Sequence, residues 1–292
     1  AVSGSKGKKL WDHKVSARPT CMVTAHLMTE KHHDVIIGTL DGMVYAFRGD
    51  EEDMLWKFYA GGSTQINSIV AGNFDADVED EVVIGIGETT SPYRGTVQLL
   101  NDDGDDLWKY TASNPVTLVK MGDFNNDDTN DIVACSKNYV YAFNGKPPNA
   151  VLWNFTVPAV TVHSLEVGNF NGDDYADVAV SSFLSVHAIN GRTGTQLWNF
   201  TSVSLSITVG KFSTKTRDDV AVLAWASKII CINGGTGAEV WSFDNPALYT
   251  LRGLIKADVN ADGLEEVITM NWDIIYAINK MGTVWASFAA SK

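Results

Sequence analysis

Seven of the nine tryptophans divide the 292-residue chain into near-equal lengths. Trp11, Trp56, Trp108, Trp153, Trp198, Trp241 and Trp285 are separated by 45, 52, 45, 45, 43 and 44 residues. Between them one unit recurs, clearest over residues 168–198 as GNFNGDDYADVAVSSFLSVHAINGRTGTQLW. Its acidic loop returns as GNFDADVEDEV (72–82), GDFNNDDTNDIV (122–133) and ADVNADGLEEV (257–267). The one long interval carries GETTSPYRG (87–95), read as a loop insertion.

Each unit reads as four short strands, because short apolar or alternating runs end at Gly, Asn and Asp. In the fourth unit these are residues 164–167, 178–181, 185–189 and 196–201. The second strand is nearly all apolar in every unit, as in 82–86, 132–135 and 220–223. A strand apolar on both sides needs cover on both sides, which sheets stacked face to face supply. The last strand alternates: Trp56/Phe58, Trp108/Tyr110, Trp153/Phe155, Trp198/Phe200 and Trp241/Phe243 share one side, with Lys57, Lys109, Asn154, Asn199 and Ser242 on the other. No 3.6-residue periodicity appears. A strand-rich period of 40–50 residues belongs to the blades of a β-propeller.

The expected fold is therefore all-β: one propeller domain over residues 1–292, with repeats at about 20–60, 65–112, 116–157, 162–202, 205–245 and 250–289. Residues 1–16 read as a further last strand around Trp11, since AVSGSKGKKLW aligns with AINGRTGTQLW. That alignment places Ala1 inside a repeat. Six blades with one spare outer strand is the first choice, and seven the alternative if further chain completes the unit that Trp11 ends.

The loop between first and second strands places oxygen-bearing side chains at positions 1, 3, 5 and 9. The second unit offers Asn73, Asp75, Asp77 and Glu81; the third Asp123, Asn125, Asp127 and Asp131; the fourth Asn169, Asn171, Asp173 and Asp177; the sixth Asp258, Asn260, Asp262 and Glu266. Position 7 is held by Glu79, Thr129, Tyr175 and Leu264, with the Thr129 and Tyr175 carbonyls as further donors. Calcium takes 6–8 oxygen ligands in flexible geometry, whereas magnesium demands a near-ideal octahedron. Eleven carboxylates on these positions repel one another unless neutralised, and four Ca²⁺ ions would move the net charge from −13 to −5. Two units depart from the pattern. The fifth puts Lys211, Ser213, Lys215 and Arg217 before Asp219, which disfavours a cation. The first, with His26, Met28, Glu30, His32 and Asp34, reads as a degenerate loop with surface histidines; zinc is its lesser alternative.

GNFNGDDYADVAV and GDFNNDDTNDIVA resemble the FG-GAP repeat, the calcium-loop repeat of integrin α-subunit propellers. AINGRTGTQLW and CINGGTGAEVW are similar to the tryptophan repeat of quinoprotein-like propellers. The resemblance implies about four structural calcium ions in the loops named above. It also implies a ligand-binding face at the opposite ends of the strands. There the second-to-third-strand loops bring Tyr93, Arg94, Tyr139, Phe183, Trp225 and Trp272, suited to stacking on sugar rings or anchoring a protein.

A net charge of −13 argues against nucleic acid or an anionic membrane as partner. No apolar run approaches the ~20 residues that a membrane-spanning helix needs. Cys21, Cys135 and Cys231 lie in apolar strands and read as buried free thiols rather than a disulfide framework. No HExxH, GxSxG or phosphate-loop motif is present. Asn154-Phe155-Thr156 and Asn199-Phe200-Thr201 are glycosylation sequons on outer strands. The sequence thus points to a non-enzymatic, calcium-binding recognition or adhesion module outside the cell, with a protein or glycan ligand. A propeller enzyme, such as a polysaccharide lyase or quinoprotein-like dehydrogenase, is a second reading, and an intracellular scaffold a third. A deep polar pocket with converging Arg, His or Tyr would mark the enzyme.

Overall fold

The structure is a computed structural model that describes residues 1–3, 6–28, 32–51, 53–75, 77–146, 150–245 and 251–289, with the backbone alone at Ala226. It contains six four-stranded antiparallel sheets, each built from four consecutive strands in sequence order. Sheets 1 to 6 lie within residues 19–59, 64–112, 116–156, 162–201, 204–244 and 252–289. In sheet 4 the strands are Val162–Gly168, Asp177–Ser182, Ser185–Ile189 and Gln196–Thr201, within two residues of the expected bounds. The one described helical segment is a 3-10 turn at Trp225–Ser227. Among the described residues, no helix is long and apolar enough to cross a membrane.

The chain forms two compact units. The first, Ala1–Asp123 with Asp127–Asn154, carries sheets 1 to 3; the second, Phe124–Asn126 with Phe155–Lys292, carries sheets 4 to 6. Within each unit the cores lie between successive sheets, which accounts for the doubly apolar second strands. Val82, Ile84 and Ile86 pack towards Val44 and Ala46 of sheet 1, while Val83 packs with Val119 and Ile132 of sheet 3. Likewise Val220 and Val222 meet Val186 and Ala188 of sheet 4, and Ala221 and Leu223 meet Val267 and Tyr276 of sheet 6. Cys135 and Cys231 are buried and Cys21 half-buried, all as free thiols. Burial pushes all three thiols above their ordinary range.

The last strands alternate as expected. Lys57, Lys109, Asn154 and Asn199 are exposed, and Trp153, Trp198 and Trp241 are buried. The exposed Asn154 and Asn199 leave both sequons on the outermost strand of their sheets. The indoles also tie consecutive repeats. Trp56 Nε1 donates to the Asp102 carbonyl at 2.5 Å, and Trp198 Nε1 to the Gly234 carbonyl at 2.5 Å. Gly237, at φ +71°, lies so close to the Trp198 ring that a Cβ would meet it at 2.8 Å. Both constraints demand glycine in the NGGTG turn.

Two expectations need correction. Residues 10–16 form no strand; the described N-terminal segment contains only an isolated Val2–Lys9 bridge. With no neighbouring strand to pair with among the described residues, a last-strand sequence has no hydrogen-bond ladder to join. Trp11 nevertheless behaves as its counterparts do, donating to the Gly49 carbonyl at 3.1 Å and packing on Phe47. The second correction concerns Trp285. Ala277 pairs with Ala286 where Cys231 pairs with Trp241, so Ala286 occupies the tryptophan position and Trp285 sits one residue early, 48% exposed.

Candidate functional site

The ninth loop position is acidic in all six units, including the two where no metal was expected. Asp34, Glu81, Asp131, Asp177, Asp219 and Glu266 are each at most 5% exposed. Their carboxylates accept backbone N–H groups from two directions. One is the start of their own loop: Leu27 to Asp34, Phe74 to Glu81, Phe170 and Asn171 to Asp177, Ser213 to Asp219 and Val259 to Glu266. The other is the turn between third and fourth strands: Gly49 to Asp34, Gly145 to Asp131, Gly191 to Asp177 and Gly234 to Asp219. At each of these glycines a Cβ would overlap the carbonyl oxygen of the residue before the acid. Where the acid is the longer glutamate, Glu81 or Glu266, the turn carries Asp102 or Lys280 in the glycine's place. The ninth acid is therefore a structural knot in every unit, whatever else its oxygens hold. The sequence signal for it is a glycine 14 or 15 residues after an aspartate, outside the nine-residue loop.

Positions 3 and 5 fold the loop through Asx turns, in which a side-chain oxygen accepts the N–H two residues on. Asp75 accepts from Asp77 and Asp77 from Glu79; Asn171 from Asp173 and Asp173 from Tyr175; Asp127 from Thr129; Asn260 from Asp262 and Asp262 from Leu264. The first position supports them. Asn73 Nδ2 donates to the Asp77 carbonyl and Asn169 Nδ2 to that of Asp173, while Asp123 accepts from Asp127 and Asp128, and Asp258 from Gly263. Asn125 lies in the short segment that belongs to the second unit. Position 8 reaches back to the preceding loop. Asp80, Asp218 and Glu265 accept from the first-position N–H of His26, Asn169 and Lys211, and Asn130 donates to the Asn73 carbonyl.

The four loops differ in the charge around them. In the second, one carboxylate oxygen each of Asp75, Asp77 and Glu81 lie within 4.8 Å of one another, the one group of metal-ligating side chains assembled among the described residues. In the third, Lys146 pairs with Asp127 at 3.4 Å; in the sixth, Lys280 pairs with Asp262 at 3.2 Å and Lys215 donates to the Asp262 carbonyl. In the first loop His26 and His33 pack ring on ring at 3.9 Å, Asp34 is turned inward to Leu27 and Gly49, and Glu30 lies outside the described residues. In the fifth, Ser213 closes on Asp219.

Burial raises Glu81 from its ordinary range to about 7, against the pull of the Phe74 N–H and with help from the Asp75 and Asp77 charges. Burial also raises Asp34, Asp177 and Glu266. The folded protein thus keeps a proton that the unfolded chain releases above pH ~4.5. Stability in chelator is expected to fall as pH rises from about 4.5 to 7, by up to roughly 3 kcal/mol from Glu81 alone. Urea midpoints across that window measure it. A flat profile, or an undiminished slope in Glu81→Gln, would remove Glu81 as the cause.

The six residues expected on a ligand face lie at the ends of the strands opposite the acidic loops. Tyr93 is exposed at φ +57° beside Arg94, whose N–H donates to Glu88; Tyr139 stacks on Tyr141. Phe183 packs edge-on to His163 at 4.6 Å, Trp225 is 66% exposed, and Trp272 lies under the Arg252 guanidinium at 3.8 Å. No two of the six are in ring contact among the described residues.

Comparison with known structures shows what the six sheets form. Sqt1 from Saccharomyces cerevisiae superposes with a TM-score of 0.70 at 14% identity, covering 99% of this chain and 76% of Sqt1. BamB from Moraxella catarrhalis gives 0.68 at 13% identity, covering 99% and 82%. The fold is a β-propeller. BBS1N, in a structure solved in complex with ARL6DN, matches the propeller at 0.68 and 12% identity, over 94% of this chain and 82% of that one. No family model and no curated protein matches the sequence.

Proposed function

We propose that this propeller is a calcium-stabilised recognition module of the FG-GAP type, using loops at the ends of its strands opposite the acidic loops to bind a protein partner. The observation that carries the calcium reading is the convergence of Asp75, Asp77 and Glu81 within 4.8 Å in a loop that no lysine among the described residues pairs with. Their hard, anionic oxygens suit calcium better than a softer transition metal. The fourth loop, with Asn171, Asp173 and Asp177, is the next best site. The third and sixth bind more weakly, because Lys146 and Lys280 already oppose Asp127 and Asp262. Bound calcium would offset carboxylate repulsion and hold the Asx-turned loop. Loops of this exposure suit the millimolar calcium found outside cells, where adhesion modules work.

Support for a protein partner comes from BBS1N, a similarly folded chain solved with one, and from the exposed Trp225 and Trp272. A protein and glycan array probed in calcium and in chelator tests both halves. Calcium-dependent capture of a protein ligand is expected. Capture of glycans alone would reassign the partner, and binding unchanged by chelator would remove calcium from the function.

A further inference from the structure

Between sheets 1 and 2 lies an open hollow of about 710 Å³. Its walls are the connection at Gly61–Ser63 and the insertion at Thr90–Pro92, and its floor includes Gln98. Strand register shows what is missing there. Gln98 pairs with Ile84 and Lys109, the position held by Tyr45 in sheet 1, Tyr141 in sheet 3, His187 in sheet 4, Ile230 in sheet 5 and Tyr276 in sheet 6. In sheets 3, 4 and 6 that ring rests against the aromatic from the last strand of the preceding sheet. Tyr110–Tyr141, Phe155–His187 and Phe243–Tyr276 have centroids 5.5, 6.1 and 5.9 Å apart. Phe58 is the corresponding aromatic of sheet 1, and it lines the hollow with no ring stacked on it among the described residues.

The Gln98 side chain is a second, independent sign. The residue is 5% exposed, lines the hollow, and its amide makes no hydrogen bond among the described residues. The amide is not among the sealed polar atoms, so it faces the hollow, open to a ligand's hydrogen bond. Thr96 and Thr111, on the same side of the sheet, add hydroxyls to the floor. We propose that this hollow is the anchor site for a tyrosine side chain presented by a protein partner. The phenol ring takes the place of the missing tyrosine against Phe58, and its hydroxyl pairs with the Gln98 amide. Tyrosine is suited to this role because it brings a rigid apolar body and one polar tip. The hollow is larger than one ring, so flanking residues of the partner enter too, along the outermost strand of sheet 1. Glu88 and Asp106 against Lys109 at the mouth favour a neutral or basic flank.

This site rests on the reading of the chain as a protein-binding module. N-acetyl-L-tyrosinamide is the probe, observed by saturation-transfer NMR with the whole chain. Wild type is expected to bind it at least severalfold better than N-acetyl-L-phenylalaninamide, and Gln98→Leu to lose that preference. Gln98→Tyr restores the ring the sister sheets carry; it is expected to keep or raise Tm and to reduce probe binding at least tenfold. No transfer to the probe in wild type, or equal transfer in a folded Gln98→Tyr, overturns the site. Binding of methyl α-D-glucopyranoside in place of the tyrosine probe, blocked by Gln98→Tyr, overturns the tyrosine assignment in favour of a saccharide. A protein partner captured equally by wild type and Gln98→Tyr would leave the recognition reading intact and remove only this site.

Discussion

Asp177→Ala is expected to lower the stability of the chain by roughly 3–5 kcal/mol, even with calcium removed. The carboxylate is fully buried and accepts the N–H groups of Phe170, Asn171 and Gly191 at 3.0, 3.2 and 2.9 Å. The substitution takes the acceptor from all three in a site that excludes water, and opens a small cavity beside Phe170. Asp173→Ala, four residues earlier on the loop, is the matched control. Asp173 accepts from Tyr175 and Asn171 at the half-buried loop surface, so its loss in chelator should stay within about 1 kcal/mol. Urea denaturation of the two variants separates the knot from the loop. Equal losses would mean that the ninth acid has no structural role distinct from its neighbours. Gly191→Ala should resemble Asp177→Ala, since its Cβ would overlap the Ala176 carbonyl.

Calcium is expected to raise Tm by roughly 5–15 °C between chelator and 10 mM CaCl₂. Sites with dissociation constants of ~0.1–1 mM gain about 1.4–2.7 kcal/mol each at that concentration. Two well-filled loops therefore supply about 3–5 kcal/mol, and a domain of this size shifts by about 2–4 °C per kcal/mol. Asp75→Asn with Asp77→Asn should remove about half the shift, while leaving stability in chelator unchanged or slightly higher, because two like charges go. The pH slope set by Glu81 should flatten when calcium is present, since the ion opposes the charge that burial disfavours. Identical melting curves in chelator and calcium would sink the metal reading. They would leave the knots untouched.

Much of this architecture could be read from particular residues. The tryptophan spacing and the doubly apolar second strands lead directly to stacked four-stranded sheets, because those patterns report burial, and burial follows from side-chain chemistry alone. The ninth acid was harder. Its sequence setting is the same whether it holds a metal or a backbone, and only the approach of Gly145, Gly191 or Gly234 from a turn 14 or 15 residues away reveals the second task. Trp285 misleads for a related reason: a one-residue shift hardly changes a spacing of 44, yet it puts the next side chain on the other side of the strand. The lysines opposing Asp127 and Asp262 come from outside the nine-residue loops they neutralise. The hollow at Gln98 is visible only once register shows which residues are its counterparts.

The clasps described between loops run to the immediate neighbour. Asp80 holds the His26 backbone, Asp218 that of Asn169 and Glu265 that of Lys211, while the Trp11, Trp56 and Trp198 indoles reach forward to the following turn. Within each compact unit a pull on the chain is therefore met link by link, as in other modular arrays. Released one module at a time, about 45 residues would lengthen the extended chain by roughly 15 nm per event.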